Sequence, residues 1–178
     1  MKIVVLTGSP RKNGGSNYLA ERFLDGARES EHEVVRFDCA AKNVHPCIAC
    51  DRCADGACVF EDDMSGIMEK LLEADMVVFA SPTYYFGLSA QLKAVIDRFY
   101  GRNAALMERK KTALLLTAGG AYERNLEGVV LQFEIMAEYL QWQNVGTVLA
   151  PECSSRADAA ETDAPERAYS LGKHCGEM

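Results

Sequence analysis

Residues Lys2–Thr7 read as a short, continuous stretch around the apolar run Ile3–Leu6, rich in β-branched side chains, that stops at Gly8. Such a run reads as a strand buried on both faces. It passes through Gly8-Ser9-Pro10-Arg11-Lys12-Asn13-Gly14-Gly15-Ser16-Asn17 into a helical pattern, where Leu19, Phe23 and Ala27 recur at a spacing of four and share one face. A strand that feeds a helix through a polar, glycine-rich turn is the opening unit of an α/β sheet.

The rest of the chain repeats the unit. Residues 33–38 alternate as a second strand, and 62–74 carry Met64, Ile67, Met68, Leu71 and Leu72 at helical spacing. Residues 76–80 are a third strand, too uniformly apolar to face water. The spacing predicts a helix over 87–100 with Leu88, Leu92, Val95, Ile96 and Phe99 inward, and strands over 112–118 and 145–149 separated by a helix over 126–140. Residues 161–175 close the sequence as a final helix. Strands alternating with helices imply a parallel sheet covered on both faces. With 178 residues and 48% hydrophobic content, one core and one domain are expected. One irregularity stands out: residues 40–61, cysteine-rich, are inserted between the second strand and its helix. Long loops in compact domains are usually functional.

Charge narrows the partners. A formal net charge of −7, without a basic patch, disfavours nucleic acid and anionic membrane surfaces. The first six residues carry one lysine and a short apolar run, too brief for a signal peptide, and no apolar run is long enough to span a bilayer. A cytoplasmic protein is expected. Seven cysteines in such a setting point to metal or redox chemistry before disulfides.

The turn after the first strand has the chemistry of an anion site. Backbone N–H groups and the positive end of the helix dipole meet there, Ser9, Ser16 and Asn17 add donors, and Arg11 adds a charge. Neither the dinucleotide fingerprint nor the Walker pattern fits these residues. No cysteine lies in the turn to act as a phosphatase nucleophile; the first is Cys39. The loop is expected to bind a phosphate without attacking it.

Four segments together resemble the NADPH-dependent FMN reductase family, and within it the iron-sulfur flavoproteins. They are Gly8-Ser9-Pro10-Arg11 with Gly14 and Ser16; the cysteine loop ending in Asp62-Asp63-Met64; Ser81-Pro82-Thr83-Tyr84; and Ala90-Gln91-Leu92-Lys93 with Asp97-Arg98. The resemblance covers nearly the whole chain. It implies a flavodoxin-like, doubly wound, five-stranded parallel sheet over residues 1–178, with the cysteine-rich loop inserted at about 40–61. It also implies that Ser9, Arg11, Ser16 and Asn17 hold the FMN phosphate, while Pro82, Thr83, Tyr84, Tyr85 and Phe86 line the ribityl chain and flavin ring. In a doubly wound sheet the ligand sits past the carboxyl ends of the strands, where these segments lie. Gly119 and Gly120, at the end of the fourth strand, can bring backbone close to the ring. No side chain is expected to serve as acid, base or nucleophile, because the flavin carries the redox chemistry. His32, His45 and His174 are expected on the surface or in loops.

Cys47, Cys50, Cys53 and Cys58 follow one another with gaps of two, two and four residues. Three thiolates at successive intervals of three can take three corners of a 4Fe-4S cubane, and Cys58 can reach the fourth iron after a turn at Gly56. Zinc prefers two separated knuckles, so it fits less well, and metal-free thiols are the other alternative. Cys39, Cys153 and Cys175 read as plain buried thiols.

Two functions follow. In the first, the cluster passes single electrons from a small redox protein such as a ferredoxin to FMN. In the second, NAD(P)H supplies hydride and the flavin reduces free flavin, a quinone, or an azo or nitro compound, with no cluster. The family resemblance also implies a homo-oligomer, with residues 136–142 a candidate contact.

Overall fold

The structure, a computed structural model, describes residues 1–55, 57–121 and 124–178. The turn expected at Gly56 lies outside the described residues.

Five parallel strands, β1 (Lys2–Thr7), β2 (Glu33–Asp38), β3 (Met76–Tyr84), β5 (Lys111–Thr117) and β6 (Gln143–Ala150), stand in the order β2-β1-β3-β5-β6. A two-residue strand, β4 (Gly87–Leu88), pairs antiparallel with the end of β3. The chain order reverses after β2, so the carboxyl ends of β1 and β3 flank a switch point, as the doubly wound reading requires. This is a flavodoxin-like α/β sheet.

The continuous apolar runs of β1, β3 and β5 are explained by two cores, one on each face. Val4, Leu6, Val77, Phe79, Leu114 and Leu116 point toward α2 (Met64–Glu73), α3 (Ala90–Asp97) and α5 (Arg124–Leu140). Ile3, Val5, Met76, Val78, Ala113 and Leu115 point toward α1 (Gly15–Glu29) and α7 (Ala164–His174). Alternate side chains of a strand point to opposite faces, so only a strand covered on both sides reads as uniformly apolar. Trp142 closes the first core, packing near Phe79 and Phe99 while its indole N–H donates to the Leu106 carbonyl at 2.8 Å.

Three elements depart from the periodicity. The expected third strand continues through Tyr84, and Gly87-Leu88 belongs to β4 rather than to a helix. The intervening Tyr85 and Phe86 have φ of 46° and 63°, which makes a two-residue turn with both φ positive, as a type I′ hairpin requires. Helix α3 begins at Ala90, after Ser89, whose hydroxyl accepts the Leu92 N–H. It ends at Asp97, giving way to a 3-10 stretch (Arg98–Arg102) and the single turn α4 (Asn103–Leu106). The last expected helix, over 161–175, is α7, which starts only at Ala164, where Thr162 takes the Ala164 N–H with its hydroxyl and Pro165 sits in the first turn. A separate short helix, α6 (Arg156–Ala160), precedes it and was not expected. Among the described residues no helix is long and apolar enough to cross a membrane.

Candidate functional site

The turn between β1 and α1 is held in shape by close packing at glycine and by bonds that converge on one carbonyl. Gly8 donates to the Ala80 carbonyl at 2.8 Å and accepts the Ser89 hydroxyl at 2.7 Å. A β-carbon at Gly8 would sit 2.3 Å from Ser89 Oγ and 2.8 Å from Leu92 Cβ, so only glycine fits. Downstream, the Arg11 carbonyl accepts from Gly14 N–H at 2.9 Å and from Asn17 Nδ2 at 2.8 Å. Asn17 Oδ1 accepts from Arg36. The Asn17 side chain is thus committed to the turn itself.

The first intrahelical bond of α1 runs from Tyr18 N–H to the Gly14 carbonyl. The N–H groups of Gly15, Ser16 and Asn17 precede it and have no partner within the helix, which is the arrangement that attracts an anion. Ser16 is buried, and its hydroxyl has no hydrogen-bond partner. A buried hydroxyl left unpaired costs roughly 1–3 kcal/mol, so Ser16 holds a free donor in the first turn of α1.

The opposite wall comes from β3, β5 and the segment after β6. Ser9, Arg11, Gly14, Gly15 and Ser16 line one cleft of about 230 Å³ together with Pro82, Thr83, Tyr84, Thr117, Gly119, Cys153 and Ser154. Thr83 supplies a second buried hydroxyl without a partner. Seven of the residues expected from sequence therefore meet here: Ser9, Arg11, Ser16, Pro82, Thr83, Tyr84 and Gly119. Asn17, Tyr85, Phe86 and Gly120 do not line the cleft. Tyr85 is fully exposed and Phe86 65% exposed at the hairpin tip, where both rings face solvent. Thr117, Cys153 and Ser154 were not anticipated. The signal for them was topological: Thr117 pairs with Pro82, and Cys153 and Ser154 follow the end of β6, so all three sit at the same carboxyl edge as the loop. Burial pushes the Cys153 thiol above its ordinary value, with Asp158 and Glu152 adding to the rise. With less of the nucleophilic thiolate present, Cys153 serves as a wall of the cleft.

The cysteine loop forms a separate, larger cavity of about 740 Å³, lined by Cys47, Cys50, Cys53 and Cys58 together with Met64, Met68, Leu72, Arg98 and Tyr100. All four thiols are free; Cys47, Cys50 and Cys58 are exposed and Cys53 is half-buried. Ala49 and Asp51, flanking Cys50, hold φ of 51° and 56°, a conformation that costs a non-glycine residue about 1 kcal/mol or more. At the loop's end, Asp62 accepts from His45 N–H at 2.9 Å, Met64 N–H at 3.1 Å and the Arg98 guanidinium at 2.8 Å. Burial alone would raise the Asp62 carboxyl, but these hydrogen bonds outweigh it and hold the group below the usual carboxylate range.

A single tetrahedral ion needs its ligands to converge on one point, and among the described residues no three His, Cys, Asp or Glu side chains do so. A cubane asks for something else, because each thiolate binds a different iron. Four free thiols around one cavity suit that demand in kind and number. Of the other cysteines, Cys39, Cys153 and Cys175 are buried, and burial pushes the Cys39 thiol up to about 12. His45 presents its ring to Phe60, in a stack with centroids 4.8 Å apart, and meets Asp62 through its backbone. His32 and His174 are both partly exposed.

The fold and the cleft define a flavodoxin-like protein with a polar cleft at the N-terminus of its first helix. The chain belongs to the NADPH-dependent FMN reductase family, whose sequence profile matches residues 1–153. An iron-sulfur flavoprotein of Methanocaldococcus jannaschii is 32% identical over 133 residues, covering 74% of this chain and 69% of the relative. An iron-sulfur flavoprotein of Methanosarcina thermophila is 38% identical over 122 residues, covering 68% of this chain and 61% of the relative. An Archaeoglobus fulgidus iron-sulfur flavoprotein is matched over 56% of its length. The chain thus spans little more than half to about two thirds of these relatives. Among solved structures, an NAD(P)H:quinone oxidoreductase from Methanothermobacter marburgensis superposes with a TM-score of 0.76 at 20% identity, covering 98% of this chain and 96% of that one. An azoreductase from Bacillus anthracis gives 0.76 at 22% identity, covering 97% and 99%. At such identities the likeness is one of fold.

Proposed function

We propose that the cleft between α1 and the ends of β3 and β5 binds the phosphate and ribityl chain of FMN, and that the cysteine loop carries a 4Fe-4S cluster feeding electrons to it. The observation that carries the first part is the pair of buried, unpartnered hydroxyls, Ser16 Oγ and Thr83 Oγ1, on residues lining one cleft at a helix N-terminus. Ser16, with the free N–H groups of α1, would take the phosphate, and Arg11 would close over it. Thr83 would meet the ribityl chain. A cleft of about 230 Å³ is below the size that encloses a whole drug-sized ligand, so the flavin ring would lie outside it, against Tyr84 and the exposed hairpin rings of Tyr85 and Phe86. Gly119 and Gly120 would border its polar edge.

The flavin, when bound, supplies the capacity to take up two electrons or a hydride. The chain's own residues hold the phosphate, orient the ring and leave one ring face open. Cys47, Cys50, Cys53 and Cys58 would hold the cluster, in keeping with the iron-sulfur flavoprotein names of the relatives. The electron donor would then be a small redox protein of the ferredoxin kind. A second reading, with NAD(P)H as donor and a quinone, azo or nitro acceptor, is favoured by the open hairpin face and by the family's description. In either case the protein would work in the cytoplasm as a homo-oligomer. Of the residues first considered for that contact, Trp142 is core and Met136 packs against the core; Leu131, Ile135 and Tyr139 of α5 are the exposed apolar side chains nearby.

Replacing Arg11 and Ser16 by alanine together removes a charge and a donor from the phosphate. At roughly 1.5–3 kcal/mol per charge-assisted hydrogen bond, FMN affinity should fall at least about tenfold, and flavin should separate from protein on gel filtration. Retention at wild-type stoichiometry would count against the cleft. Iron and sulfide analysis after anaerobic reconstitution separates the two donors: about four of each per chain is what the cluster requires.

A further inference from the structure

We infer that Arg98 is a positioning residue that locks the neck of the cysteine loop, setting the four thiols in place before any metal arrives; this rests on the cluster reading of Cys47, Cys50, Cys53 and Cys58 only for its consequence, not for the lock itself.

Arg98 opens the 3-10 stretch after α3 and is almost fully enclosed, with 6% of its side chain exposed against 1% for its partner Asp62. Its guanidinium forks onto the carboxylate, Nη1 to Oδ2 at 2.8 Å and Nη2 to Oδ1 at 3.3 Å. Nη1 also donates to the His45 carbonyl at 2.9 Å, while Asp62 accepts the His45 N–H at 2.9 Å. The backbone of His45 is thereby held from both sides, its oxygen by the cation and its N–H by the anion. His45 and Asp62 are the two ends of the loop, and all four cysteines lie between them. Phe60 fills the remaining side, stacked on the His45 ring and lying under the guanidinium with 5.4 Å to its centroid.

A second rung sits just outside the first: Asn43 N–H donates to Asp63 Oδ2 at 2.8 Å and Asp63 N–H donates to the Asn43 carbonyl at 3.0 Å. The far arm of the loop rests on the segment that Arg98 begins. Tyr100 donates to Asp51 at 3.3 Å, and a β-carbon at Gly101 would lie 3.1 Å from Cys53 Cβ. Arg98, Cys47, Cys50, Cys53 and Cys58 line the same cavity. None of the lock's side chains lines the cleft assigned to FMN. Removing one partner of an enclosed ion pair leaves an uncompensated charge, so the neck should open when Arg98 is lost. Lysine keeps the charge but lacks both the fork and the flat face that Phe60 meets, so it should not substitute.

The experiment compares wild type, Arg98→Ala, Arg98→Lys and Phe60→Ala. It reads iron and sulfide per chain after anaerobic reconstitution, FMN per chain, and the rate of limited proteolysis within residues 45–62. Arg98→Ala and Arg98→Lys should be cleaved in the loop faster than wild type and should lose iron roughly tenfold, the loss typical of supports behind metal ligands, while FMN stays at wild-type stoichiometry. Phe60→Ala, which leaves no buried charge behind, should fall between and covers the case in which the arginine variants do not fold. Wild-type proteolysis and iron in Arg98→Ala would overturn the lock, and wild-type values in Arg98→Lys would overturn its dependence on the fork. If wild type itself takes up no iron, the cluster reading fails while the proteolysis rates alone decide the lock.

Discussion

The turn between β1 and α1 and the cysteine loop are two solutions to the problem of presenting polar groups at the same edge of one sheet. The turn is short, seated on strand ends, and built from backbone: glycine packing at Gly8, a shared carbonyl at Arg11, and a helix N-terminus. The loop is long, has little regular structure of its own, and depends on side chains, above all the Asp62–Arg98 pair. A backbone-built site inherits the stability of the sheet. A side-chain-built site is only as stable as the few bonds that close it.

The largest effect should come from the loop's closing pair. Asp62→Asn leaves Arg98 buried without a counter-charge and sets an amide against two backbone donors, so unfolding free energy should drop by about 3–5 kcal/mol in chemical denaturation. The pH dependence has a definite sign. Because the Asp62 carboxyl lies below its ordinary value in the folded chain, its contribution is complete above the unfolded carboxylate range near pH 4 and is lost as pH falls through the folded value. Wild type should therefore lose more stability in acid than Asp62→Asn, which keeps only the contributions of other carboxylates held low, such as Asp38 and Asp158. Identical acid limbs in the two proteins would remove the contrast between the regions.

Next in size is the turn. In Gly8→Ala the new β-carbon meets Ser89 Oγ and Leu92 Cβ, at distances no real contact shows, inside a packed sheet edge. Overpacking of this kind costs about 1–3 kcal/mol, and it should also weaken flavin binding, since Gly8 opens the turn proposed to hold the FMN phosphate. Calorimetry and flavin retention measure the two together. A variant as stable as wild type with full flavin would show that the turn is more forgiving than its packing indicates.

These contrasts also mark what the sequence made legible. Strands β1, β3 and β5 announced themselves because burial on both faces leaves an unbroken apolar run, and the polar turn after β1 did so because its donors are consecutive in the chain. The β4 hairpin did not. Leu88 and Leu92 share a helical spacing, and the two-residue turn before them uses Tyr85-Phe86 instead of the Asn-Gly that turn chemistry favours. The cleft's far wall was half visible: Pro82 and Thr83 stood in a recognisable segment, but Cys153 and Ser154 reach the site only through strand order. Asp62 takes the Met64 N–H two residues on, but its chief partner lies 36 residues away and no local pattern pairs them.

The hairpin gives a smaller effect of opposite sign. Aromatic residues at positive φ carry strain, and Asn-Gly adopts the same turn freely, so replacing Tyr85-Phe86 by Asn-Gly should stabilise the fold by about 1–2 kcal/mol. If those rings border the flavin, the same variant should turn over acceptors more slowly. A gain in melting temperature with undiminished turnover would leave the strain without a functional use.

The smallest effect tests whether the contrast depends on position rather than on charge. Asp97 is the immediate neighbour of Arg98, yet it lies on the outer face of α3, pairing with Lys93 one helical turn back, with 43% and 42% of the two side chains exposed. Water screens such a pair and the long lysine loses freedom to hold it, so its net worth is a few tenths of a kcal/mol. Asp97→Asn should therefore change unfolding free energy by less than about 0.5 kcal/mol and leave loop proteolysis and flavin content at wild-type levels. Asp62→Asn removes the same charge from a carboxylate that sees almost no solvent, and differs from it by the desolvation of the partner left behind. Measured side by side in one denaturant series, the two variants compare equal charges in unequal surroundings. If Asp97→Asn proved as damaging as Asp62→Asn, negative charge near the end of α3 would be what holds the loop, and the enclosed fork would lose its special standing.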